Sequence, residues 1–64
     1  MNEIYAVRDF KVLVKFFHDL ESGVEVRELF VPTRARDKKE ARRKVWITYA
    51  DLSNTTVTRR VISA

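Results

Sequence analysis

The sequence predicts an α+β domain of β-β-α-β order, a three-stranded sheet with one helix packed on one face. Three observations predict it. Apolar and mixed positions alternate from Phe10 to Phe17. A polar run ending in Gly23, the only glycine, follows. Asp37 and Glu40 then stand at capping-box spacing ahead of a run of helix formers. The chain has 64 residues, enough for one domain over 1–64 and no more. A domain of this size buries only about 60% of the surface its unfolded chain exposes, so a partner or a second copy is a natural source of added stability.

In the first strand Phe10, Val12, Val14 and Phe16 share one parity and are apolar, while Lys11, Leu13, Lys15 and Phe17 share the other and are mixed. Ile4 and Ala6 continue the first parity, so the strand is expected to begin as early as Glu3. The turn spans Asp19 to Gly23, where glycine takes positive φ at no steric cost. The return strand runs from Val24 to Val31. Val24 and Val26 are out of phase with Leu29 and Val31, which predicts a β-bulge near Arg27-Glu28. Pro32 donates to no ladder and marks a strand end or an outer edge.

The helix opens at Asp37 and carries Ala41, Val45, Thr48, Tyr49 and Leu52 on one stripe. Trp46 lies at the edge of that stripe and Ile47 on the far side, so the last turn is expected to fray or meet another surface. Ser53-Asn54 signals a turn, and Thr55 to Ile62 reads as the last strand, parallel or antiparallel to the first. A single helix covers one face of such a sheet. The other face presents Lys11, Leu13, Lys15 and Phe17, or is covered by Met1 to Val7.

The composition narrows the chemistry. There are no cysteines, which excludes disulfides, thiolate metal sites and cysteine nucleophiles. His18 is the only histidine, too few for a zinc site, and sits beside a turn. Asp19 and Glu21 lie on a solvated hairpin tip with no cleft to shift their titration. The serines lack a nucleophile-elbow context, and one glycine cannot build a phosphate-cradling loop. The expectation is a non-enzyme with no cofactor and no metal. No signal-peptide core and no apolar run of bilayer length is present, so a soluble, cytoplasmic protein without a membrane partner is expected.

Charge is the informative feature. Residues 1–32 carry four Lys/Arg and six Asp/Glu, a net −2, whereas residues 33–64 carry nine and three, a net +6. Seven of those bases lie between Arg34 and Lys44. Lys38 and Lys39 occupy a helix start, where cations oppose the macrodipole by a few tenths of a kcal/mol each. Such placement favours binding over stability. The macromolecule-binding set is Arg34, Arg36, Lys38, Lys39, Arg42, Arg43, Arg59 and Arg60, with an open-face contact at Lys11, Leu13, Lys15 and Phe17.

Several residues carry a family resemblance. The second strand leads to a small residue, Ala35. The helix opens on Asp37, Glu40 and Ala41 and ends with Trp46 and Tyr49, the tryptophan one position off. The last strand contains Val57-Thr58-Arg59. From Phe10 to Ile62 the chain resembles the small early protein by which certain coliphage podoviruses inhibit the host RNA polymerase, a β-β-α-β protein of similar length. That resemblance implies the fold and a phage-type accessory role in the host-cell cytoplasm, with Arg59 as a contact. In the family the helix is acidic, and here its start is basic, so the same docking surface is not implied.

The first expectation is therefore a protein that binds and modulates a host macromolecular machine, RNA polymerase among them, through Arg59, Arg60 and the basic helix start. The second is a nucleic-acid-binding module in which these cations meet phosphates and Phe17 stacks a base. The third is a small dimerising structural protein, a homodimer.

Overall fold

The computed structural model describes residues 6–64. Within them the order is β1 (Arg8–Leu20), β2 (Gly23–Ala35), α1 (Lys38–Tyr49) and β3 (Thr55–Ser63), which is the β-β-α-β, α+β fold that the sequence predicts. The sheet order is β2-β1-β3, and β1 is antiparallel to both neighbours. This settles the direction of the last strand. The expected strand start at Glu3 and the cover from Met1 to Tyr5 lie outside the described residues. Val7 is 45% exposed.

Alternation puts Phe10, Val12 and Val14 under the helix, at 2%, 0% and 0% exposure. Ala35, Ala41, Val45 and Val57 complete the buried cluster, and Phe16, Val31, Tyr49 and Val61 pack around it. Burying side chains of this size stabilises by about 1.5–3 kcal/mol each. Phe16 and Tyr49 meet edge to face at 5.9 Å. The helical stripe predicted by spacing is thus real at Ala41, Val45 and Tyr49. Thr48, placed on the same stripe by spacing, is exposed instead, its hydroxyl donating to the Lys44 carbonyl at 3.0 Å, and Leu52 lies beyond the end of α1 at 49% exposure.

β1 and β2 pair without interruption from Arg8↔Ala35 to Leu20↔Gly23, so the bulge expected near Arg27-Glu28 does not exist. Val31 opposes Val12 on the helix face, while Val26 opposes Phe17 on the open face. The phase change reflects a hairpin that outgrows the helix, leaving both faces of its far half exposed. Gly23 closes the turn at φ 143°, a region that side-chain-bearing residues rarely adopt. β2 extends past Pro32 to Ala35, and Pro32 sits on an edge strand, where a missing N–H breaks no inner ladder.

The irregularity lies in the other ladder. Val12 opposes Val61 and Val14 opposes Val57, so Thr58, Arg59 and Arg60 together face the single residue Leu13. Leu13 belongs to the open face but is only 7% exposed, with Phe30 opposite it on β2 and this crowded stretch on its other side. Among the described residues, no helix is long and apolar enough to cross a membrane.

Candidate binding groove between the helix start and the strand bulge

Asp37 caps α1: its carboxylate accepts the Glu40 backbone N–H at 2.8 Å. Glu40 reaches back one residue further than a standard box, accepting the Arg36 backbone N–H at 2.7 Å. The Arg36 guanidinium adds Nε and Nη2 contacts to the same carboxylate at 3.2 and 3.0 Å. The backbone hydrogen bond from Arg36, then its side-chain hydrogen bonds, hold the Glu40 carboxyl below the usual carboxylate range. The same side-chain hydrogen bonds raise Arg36 above its ordinary value. Both acids at the helix start are therefore engaged in the cap, and the ion pair that Glu40 makes there is with Arg36.

The bulge of β3 is held by a second arginine. Arg42 Nε donates to the Thr58 carbonyl at 3.0 Å and Nη2 to the Val57 carbonyl at 3.2 Å. Thr58 Oγ1 donates to the Leu13 carbonyl at 2.8 Å and accepts the Arg60 N–H at 3.1 Å. Bulging strips these groups of ladder partners, and one guanidinium and one hydroxyl replace them. Arg42 thus ties the helix to the bulge and fixes where Arg59 and Arg60 stand.

Between the two features lies an open groove of about 790 Å³, lined by Arg36, Asp37, Lys38, Lys39, Glu40, Arg42, Arg43, Trp46, Arg59 and Val61. The structure brings together six of the eight sequence-predicted cations. Arg34 and Arg60 do not line it. Arg34 forms an ion pair with Asp9 at 3.5 Å instead. Lys44, outside the predicted set, donates to the Arg34 carbonyl at 2.8 Å. Lys38, Lys39, Arg43, Arg59 and Arg60 are exposed and have no ion-pair partner among the described residues.

The open-face set forms a row along β1 in which Leu13 is buried. Lys15 pairs with Glu28 at 3.7 Å, Lys11 is exposed, and Phe17 is 37% exposed. Phe17 has the opposite strand parity from the core residues, so it does not share a surface with the basic groove. The aromatic that does is Trp46, 52% exposed. Sequence reasoning placed Trp46 only at the edge of the apolar stripe. Its spacing, three and four residues after Arg43 and Arg42, is the signal that would have joined it to the cations. No known protein family matches the sequence, and no curated protein or solved structure matches it significantly.

Proposed function

We propose that this chain is a non-enzymatic binding protein that modulates a larger macromolecular machine by seating its basic groove on an acidic surface of that machine. One observation carries the reading: five exposed cations of the predicted set have no acidic partner among the described residues, and four of them line a groove with a half-exposed tryptophan. Arginine and tryptophan are the residue types that dominate protein-interface energetics, and complementary charge speeds and orients encounter. Host RNA polymerase is the first machine to test, because the chain resembles an inhibitor of it through Val57-Thr58-Arg59 among other residues, and Arg59 lines this groove. The experiment is affinity capture from a bacterial lysate with identification of the bound proteins. Wild type retains a defined complex and Arg43→Glu/Arg59→Glu loses it. Identical profiles for the two would refute the proposal.

A second reading rests on Trp46 itself. An exposed indole among cations is how sequence-tolerant single-strand binders hold a base and its phosphates. A gel shift over a salt series tests it. Phosphate contacts give an affinity that falls linearly on a log–log plot, and the absence of any shift at low salt removes this reading.

A further inference from the structure

The long axis of the molecule carries opposite charge at its two ends. The described chain measures 59 × 21 × 13 Å. Because β1 pairs with β2 from Arg8↔Ala35 to Leu20↔Gly23, the helix start lies at one end and the hairpin turn at the other. The β1–β3 register ends at Phe16↔Thr55, so the hairpin beyond it is a two-stranded arm. Residues 17–26 contain Asp19, Glu21 and Glu25 and no lysine or arginine. Asp19 and Glu21 are exposed and make no ion pair among the described residues. Leu20, Val24 and Val26 on the same arm are 45%, 61% and 49% exposed.

A two-stranded ribbon is marginal in water unless something covers it. This one pairs anions with exposed aliphatics. The groove at the far end pairs cations with an exposed indole. We infer that the two surfaces fit each other between copies: the chain forms an antiparallel two-fold dimer in which the hairpin tip of each protomer lies on the basic groove of its partner. Antiparallel alignment of two elongated bodies makes both contacts at once and closes the assembly. The same tip then competes with any anionic partner for the groove. This goes beyond the partner reading above and does not depend on it, since self-association is measured on purified protein.

A charge exchange tests it. Sedimentation equilibrium at low salt should show wild-type dimers that dissociate as salt screens the contact. Asp19→Lys/Glu21→Lys and Arg43→Glu/Arg59→Glu, each shown folded by circular dichroism, should each be monomeric at the concentration where wild type is dimeric. An equimolar mixture of the two variants should be dimeric again, because in the mixed dimer one contact joins a native tip to a native groove and the other joins a reversed tip to a reversed groove, so both are complementary. A monomeric wild type at every salt, dimers that persist in either variant alone, or a mixture that stays monomeric would overturn the inference.

Discussion

Strand β1 is used differently by its two neighbours. Against β2 it makes thirteen consecutive pairs, and every side chain follows the pleat. Against β3 the ladder breaks between Val12 and Val14, and three residues crowd opposite one. The unbroken flank yields a regular surface whose charges largely pair across or along strands, such as Lys15 with Glu28 and Arg27 with Glu25. The broken flank sets Arg59 and Arg60 side by side, draws Arg42 inward, and borders the groove. Regularity here serves stability, and the irregularity creates the candidate binding surface.

Breaking what the two flanks share should have the largest effect. Phe10→Ala removes a side chain at 2% exposure and should cost about 3–5 kcal/mol, enough to unfold much of a domain this size in a urea melt. Next comes the contrast between adjacent arginines. Arg42→Ala strips donors from two bulge carbonyls and should cost about 1–3 kcal/mol, whereas Arg43→Ala should stay within about 0.5 kcal/mol. Equal effects in thermal denaturation would show that the bulge does not depend on the helix. Asp37→Ala should cost about 1 kcal/mol through the lost cap, measured in the same melts.

The smallest effect is a pH dependence. The Glu40 carboxyl titrates lower in the folded chain than unfolded, so its contribution is complete above the ordinary carboxylate range. That contribution fades as pH falls through the folded-state value. Glu40→Gln should therefore flatten the acid limb of the stability curve, read from thermal melts over an acid pH series.

The regular flank was readable in the sequence because period-two alternation, a lone glycine and a capping box each report local backbone geometry. The bulge was misplaced for a physical reason. A phase slip in apolar residues signals either an inserted residue or a strand exposed on both faces, and β2 is the second case at Val24 and Val26. The true bulge sits at Thr58–Arg60, where its only trace is two adjacent arginines in a strand otherwise rich in threonine and β-branched aliphatics. The basic cluster was legible as charge. That Arg42 would turn to the β3 backbone, and that Arg34 would pair with Asp9, depends on partners far away in sequence.

The most direct test of the groove as the binding surface places the two flanks in one assay. Lysate capture is run with Lys39→Glu/Arg43→Glu/Arg59→Glu and with Lys11→Glu/Lys15→Glu, both verified as folded. Loss of the captured complex with the first and retention with the second is the predicted result. Retention with the first and loss with the second would contradict it and move the contact to the open sheet face.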